Sequence, residues 1–350
     1  DHNGSRGLGD VYKRQVGFFL LKILMNKKIN LPAELSPESI RDTAERIQPF
    51  INRTPMFHYS EHGKDWQLKF EFLQRSGSFK ARGALNNILR LNSEQREGGV
   101  TAVSAGNHAL AVAYASSALE VNAKVVMQST ANPFRVSRAK AFGAEVVISE
   151  RIDTAFEEMF RIAETEGRAI IHPFEGYNTL QGTATLGLEI VEQSKDIDVL
   201  LVAVGGGGLI SGVGAAVKQV QPGVEIIGVE PEGAMGMTTS LEKGEALEKV
   251  EVNTIADSLG APMHAPISFS VCQQVIDRTV LVSDNEMCQA MAWAADELKL
   301  ALEPAGAAVL AALNGPLQKD TNNRSVAAIL CGSNIDSETW SKYVSRGRNS

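Results

Sequence analysis

Paired cysteines are missing from this 350-residue chain: it has three, Cys272, Cys288 and Cys331, far apart and with no CxxC spacing. That argues against a disulfide framework and a structural zinc site, and it points to a reducing cytoplasm. A basic excess is missing as well, since 34 Lys and Arg stand against 41 Asp and Glu, a formal net charge of −7. A phosphate-binding surface usually shows as such an excess, so no nucleic acid is expected as the main partner. No apolar run approaches the roughly 20 residues that span a bilayer. The longest, Val16 to Met25, is broken by Lys22, so no membrane partner is expected either. Low-complexity tracts and fixed-period repeats are also absent. What the chain does have is 44% hydrophobic and 21% charged residues. That is the balance of a globular protein, with length for about two domains.

Residues 1–24 stand apart. Lys13 and Arg14 followed by Val-Gly-Phe-Phe-Leu-Leu imitate a signal peptide, yet no small-x-small cleavage site follows before Asn26-Lys27-Lys28. Met25 reads as the natural start, and 1–24 as a non-native or disordered leader. Ser36-Pro37-Glu38 opens a helix, with Ser36 as cap and Ile40, Ala44 and Ile47 at helical spacing. From Gly99 short apolar runs alternate with helical ones: strands at 100–104, 123–128, 145–149 and 169–171, helices at 109–119, 133–142 and 154–166. The alternation resumes with a strand at 199–204, a glycine run, a helix at 209–220 and a strand at 224–229. Strands separated by helices of about ten residues imply parallel βαβ units. The expected fold class is therefore α/β, with open, parallel-type twisted sheets.

Gly205-Gly206-Gly207-Gly208 lies between an apolar strand and a helix. Four residues without Cβ let backbone amides converge on one anion, and the helix adds the positive end of its dipole. This reads as a phosphate cradle. It could serve a dinucleotide, because Gly206-x-Gly208-x-x-Ser211 approximates the Rossmann fingerprint and Glu230 ends the next strand, where a ribose-binding acid would sit. The third position is Ser, however, and the Gly-Lys-[Ser/Thr] of a P-loop is lacking. Upstream, Lys80 follows Ser76 and Ser78, either of which can cap a helix starting there. A helix N-terminus disfavours an ammonium ion, which suits a lysine to imine formation, although a solvent-exposed lysine satisfies the spacing equally well.

Five motifs now stand in order: Ser78-Phe79-Lys80-x-Arg82-Gly83-Ala84, Ser104-Ala105-Gly106-Asn107-His108, Gly205 to Leu209, Glu303-Pro304-Ala305-Gly306-Ala307 and Cys331-Gly332-Ser333-Asn334-Ile335-Asp336. Together they resemble the threonine/serine dehydratases, pyridoxal-phosphate enzymes of fold type II (tryptophan synthase β-like), a group that also holds serine racemase. The resemblance runs from about Leu31 to Tyr343. It implies that Lys80 carries pyridoxal 5′-phosphate as an internal Schiff base and then acts as the base at Cα. By the same resemblance Phe79 lies against the cofactor, and Gly205, Gly206, Gly207, Gly208 and Leu209 hold its phosphate. Asn107 would bond its phenolic oxygen, and Cys331 would lie beside the pyridine nitrogen, where a thiol cannot keep the ring protonated as Asp would. The turn of Ser104, Ala105, Gly106, Asn107 and His108 would offer amides to the substrate carboxylate, with Asp257 on a loop that closes near the substrate. Read without the family, Cys331 is a buried small hydrophobe, Asp257 a surface turn and Glu303 a cap for the helix at Pro304. His108 is read as a turn residue rather than a base, and His172-Pro173 as structural.

The sequence also departs from the family. In related racemases and some dehydratases a divalent cation is held by a Glu, a carbonyl and an Asp. Glu230 and Ala234 match the first two, but the third position is Gly236, which leaves two oxygen ligands where a hard cation takes about six. A C-terminal regulatory domain is not expected after Ser350, and feedback control is expected to be absent with it. The resemblance gives a small domain at 99–173 between the segments 25–98 and 174–350 of a larger one, with the cofactor in the cleft. The expected activity is dehydrative deamination of L-threonine or L-serine, by a homodimer with a small amino acid as its ligand. Alternatives are a serine racemase, against which Ala105 argues, and a hydroxyaspartate-type β-eliminase, with Phe174 and Tyr177 bearing on substrate size. A nucleotide-binding Rossmann-like protein would leave Lys80 and Asn107 without work.

Overall fold

The computed structural model describes residues 29–61, 63–194 and 196–350. The proposed leader and the start at Met25 lie outside them. Ten strands occur among the described residues: β1 (Met56–Tyr59), β2 (Trp66–Lys69), β3 (Val100–Val103), β4 (Ala123–Gln128), β5 (Glu145–Ser149), β6 (Ala169–Ile170), β7 (Val199–Ala203), β8 (Glu225–Pro231), β9 (Arg278–Val282) and β10 (Val326–Ile329). They form two sheets. The larger runs β1-β2-β10-β7-β8-β9 and the smaller β5-β4-β3-β6. Every pair is parallel except β1–β2, an antiparallel hairpin at one edge of the larger sheet.

Parallel strands need long crossovers, and the helices that supply them cover the sheet faces. Hence β7, an unbroken run of Val-Leu-Leu-Val-Ala, is buried at every position. The strands and helices expected from residue 100 onward are present within a few residues of their expected ends. Ser36 caps the helix Pro37–Ile47 by accepting the Ser39 amide at 3.3 Å.

The helix Lys80–Leu89 serves both sheets. Its Ala81, Ala84, Leu85 and Ile88 are buried in the core of the smaller one. Its Arg82 points the other way and donates from Nε to Glu71 (2.5 Å) and from Nη1 to Glu189 (2.8 Å). Lys69 on β2 donates to the second oxygen of Glu189 at 2.7 Å. Two cations and two carboxylates thus neutralise one another inside the protein, directly behind the residue at the head of this helix. Among the described residues no helix is long and apolar enough to cross a membrane.

Candidate active site

The C-terminal ends of β7 and β3 open into one pocket, lined by Lys80, Asn107, Phe174, the glycine run, Ser258, Glu303 and Cys331. The glycine run is fixed there by contact. A Cβ on Gly206 would fall on the Phe174 ring, and Gly207 sits at φ +87°, where a side chain is strained. The carbonyls of the run are tied down from outside. Thr183 donates to Gly208 (2.7 Å), Ser211 to Gly207 (2.8 Å), Ser268 to Gly206 (3.5 Å), and His264 Nε2 lies 3.2 Å from the Gly205 oxygen. With the carbonyls held this way, the amides at the start of the helix Gly208–Val220, which have no acceptor within their own helix, are left for an anion.

Lys80 heads its helix, but the expected serine cap is not formed. Phe79 is the capping residue and makes no side-chain bond. Ser78 is drawn into a bridge with Gly332, which leaves its buried hydroxyl without a partner among the described residues. The Lys80 amine donates to the Pro173 carbonyl at 2.5 Å. Enclosure in the pocket pushes its pKa down to about 8, so an appreciable share is unprotonated near neutrality. Cys331 is buried, its thiol is pushed up by that burial, and it donates to the Ala305 carbonyl at 3.4 Å.

Asn107 is the hub of a buried network. Its Nδ2 donates to Glu303 at 2.5 Å and to Ser258 at 3.2 Å, while its Oδ1 accepts from Asn334 at 2.6 Å. Glu303 precedes its helix as expected but makes no cap bond. Its side chain turns to Asn107 and to the Asn334 amide, because burial beside those donors gives the carboxylate better partners than the helix end. Burial pushes the Glu303 carboxyl upward against the pull of Arg135. Arg135, from the helix Pro133–Ala141, donates to Asp257 and to the Asn334 carbonyl. Asp257 is therefore paired with a cation of the smaller sheet's helices.

In the Ser104–His108 turn, the Gly106 amide donates to Ser104 Oγ at 3.1 Å. His108 lies at the start of the helix Asn107–Ala118 and donates from Nε2 to the Ile171 carbonyl at 2.7 Å. Burial lowers its pKa to about 3, so it is neutral and committed. His172 accepts the amides of Phe174 and Glu175 at Nδ1 and shapes that loop. Sequence spacing does not single out Arg135, Ser258 or His264 as site residues, and no local pattern marks them. Asn334 lies in the Cys331–Asp336 motif but is given no role of its own there.

Glu230, the carboxylate of the two candidate metal ligands, is committed to protein donors. Both Glu230 oxygens are taken by the Met237 and Thr238 amides at 2.7 Å, and Oε2 also accepts the Thr238 hydroxyl at 2.6 Å, which caps the helix Gly236–Lys243. Glu230 is fully buried and already accepts three bonds from protein donors, which argues against the dinucleotide alternative. No group of three or more His, Cys, Asp or Glu suited to a metal occurs among the described residues. Treatment with a chelator is expected to change activity by less than about twofold, because Glu230 is already satisfied by protein donors. A large loss restored by magnesium or calcium would contradict this.

The residues fit pyridoxal phosphate: an amine of lowered pKa shares one pocket with an amide cradle that tolerates no side chain. Comparison with known proteins agrees. Residues 47–332 match the family described as pyridoxal-phosphate dependent enzyme. A phenylserine dehydratase from Ralstonia pickettii is 46% identical over 306 residues, which cover 86% of this chain and 94% of that protein. An L-threonine ammonia-lyase from Thermotoga maritima is 36% identical over 316 residues, covering 89% of this chain and 78% of that one. The structure of maize serine racemase matches with a TM-score of 0.82 at 33% identity, covering 89% of this chain and 97% of the other.

Proposed function

Because this chain belongs to the pyridoxal-phosphate dependent enzyme family, we propose that it converts L-serine or L-threonine into the 2-oxo acid and ammonia. One observation carries the reading: Lys80, with its lowered pKa, shares a single pocket with the four-glycine cradle, Asn107 and Cys331. The cofactor, when bound, supplies an electron sink for the charge that develops at Cα.

The chain's own residues do the rest. The amides of Gly206 to Leu209 would hold the phosphate, with Phe174 closing one side of the cradle. Lys80 would hold the cofactor and, as a free amine, would take the proton from Cα. Asn107 would donate from Nδ2 to the ring's oxygen, and Glu303 holds Asn107 in place. Cys331, a neutral thiol already donating to Ala305, places no negative charge at the ring nitrogen, so Cα is stabilised only moderately. Moderate stabilisation favours loss of the β-hydroxyl. The β-hydroxyl would leave as water, with one proton added to it to balance the one taken from Cα, and the released enamine would tautomerise and hydrolyse to 2-oxo acid and ammonia.

A second substrate, 3-phenylserine, is favoured by the 46%-identical phenylserine dehydratase. The test is to incubate purified protein with L-serine, L-threonine and 3-phenylserine and to measure 2-oxo acid and ammonia. Cofactor-loaded protein that releases neither from any of the three would overturn the reading.

Reaction outcome follows from Ala105. In the racemases that the chain resembles, a serine hydroxyl at this place protonates Cα on the face opposite the lysine, and an alanine methyl cannot. L-serine is expected to give pyruvate with little D-serine, and Ala105→Ser to raise the racemised fraction several-fold. Chiral chromatography of the L-serine reaction decides it, and D-serine forming faster than pyruvate in the parent contradicts it. The three cysteines are free and buried, which supports cytoplasmic residence. Exposed Phe57, stacked on Phe70 at the β1 edge, supports a homodimer, which sedimentation equilibrium would test.

A further inference from the structure

Asn107 has spent both of its side-chain N–H donors. An amide side chain carries two N–H donors and one oxygen. Here the donors go to Glu303 and Ser258, and the oxygen accepts from Asn334. For Asn107 to donate to anything else in the pocket, one of these two bonds must be given up. The Glu303 bond is short, buried and charge-assisted, whereas the Ser258 bond is longer, at 3.2 Å, and only part-buried. Ser258 is the partner that yields.

The Ser258 hydroxyl only accepts from Asn107 and keeps its own proton to donate, and it faces the turn expected to hold the substrate's carboxylate. A Cβ built on Gly106 would lie 3.5 Å from Ser258 Oγ. That turn is short of a donor at this point, because the Gly106 amide is committed to Ser104. The alternative acceptor for Ser258, Asp257 Oδ1, lies at 3.4 Å and already takes Arg135. We propose that the Ser258 hydroxyl, displaced from Asn107 when the cofactor site fills, donates to the carboxylate of the amino-acid substrate. It reaches that carboxylate from the Asp257–Leu259 turn, across the cleft from the Ser104–His108 turn. This rests on the dehydratase reading above and adds a substrate contact to it.

The probes are two amines titrated into cofactor-loaded protein, with dissociation constants read from the change in visible absorbance. L-Alanine has the carboxylate but no leaving group; ethanolamine has the hydroxyl but no carboxylate. Ser258→Ala is expected to weaken L-alanine about tenfold, the weight of one hydrogen bond to a charged acceptor, and to leave ethanolamine and the cofactor content unchanged. Ser258→Thr, which keeps a hydroxyl, is expected to restore most of the L-alanine affinity. Equal weakening of both amines, or L-alanine binding unchanged while the KM for L-serine rises, would overturn the carboxylate assignment. Parent protein whose absorbance responds to neither amine would overturn the dehydratase reading itself, and this contact with it.

Discussion

Lys80→Ala is expected to lower turnover by at least about a thousandfold, in the upper range for removing a positioned proton-transfer group, and to end covalent retention of pyridoxal phosphate. The pocket offers no substitute: among the described residues Lys80 is the only lysine that lines it. The glycine cradle is untouched by the substitution, so some cofactor can remain bound through its phosphate. Covalent attachment is therefore the sharper readout. Borohydride reduction followed by mass analysis is expected to fix one cofactor per chain in the parent and none in the variant. The lowered pKa gives the same residue a pH signature. An amine with a pKa of about 8 is mostly free above that pH and loses free base about tenfold per pH unit below it. An ordinary lysine, with a pKa near 10.4, would show the same fall about two units higher. The rate at which apoprotein captures cofactor is expected to rise towards pH 8 and level off above it. A variant that keeps both covalent cofactor and turnover would remove Lys80 from its role.

The sequence reveals most where a local rule is obeyed. Val100–Val103, Ala123–Gln128 and Val199–Ala203 are apolar runs between helices, and the glycine run sits where a strand hands over to a helix. These features need only neighbours in sequence. β2 is different. Trp66-Gln67-Leu68-Lys69 carries two polar residues in four, yet Gln67 and Lys69 are buried, because Ser325 and Glu189 arrive from the far end and the middle of the chain to satisfy them. No window around β2 contains those partners. β10 is similarly short, and only its place between β2 and β7 makes it a central strand.

The candidate site divides in the same way. Lys80, the glycine run and Asn107 each sit in a compact motif; the glycine run reads as a phosphate cradle from its own residues, and resemblance assigns the other two. Glu303 reads as a helix cap because Pro304 follows it, and only the fold brings Asn107 and Asn334 close enough to take its side chain instead. Ser258 carries no signal at all in the sequence, since a serine after an aspartate is an ordinary turn. Its role depends on a pairing with Asn107 that spans 151 positions.

Replacing Arg82 by methionine is expected to cost about 3–5 kcal/mol of stability, the usual result of stranding a buried charge by removing its partner. The charge balance says which group is stranded. Lys69 and Glu189 keep each other at 2.7 Å, whereas Glu71 loses both of its Arg82 bonds and retains only neutral donors such as Thr54. A second substitution, Glu71→Gln, is therefore expected to recover more than half of the loss, and urea midpoints of the two variants measure it. If the double variant is no more stable than Arg82→Met alone, lost packing and not stranded charge is the cause. The deficit has a pH sign as well, set by Glu189. Burial opposes its charge, but Arg82 and then Lys69 hold its carboxyl below the ordinary range. The stability it contributes is present above the ordinary glutamate pKa and is lost as pH falls through its own. At pH 4 the gap between parent and Arg82→Met is thus expected to be smaller than at pH 7. Arg82 lies two residues beyond Lys80 on the same helix, so the variant is also expected to hold its cofactor less tightly, in proportion to the loosening of that helix from Glu71 and Glu189.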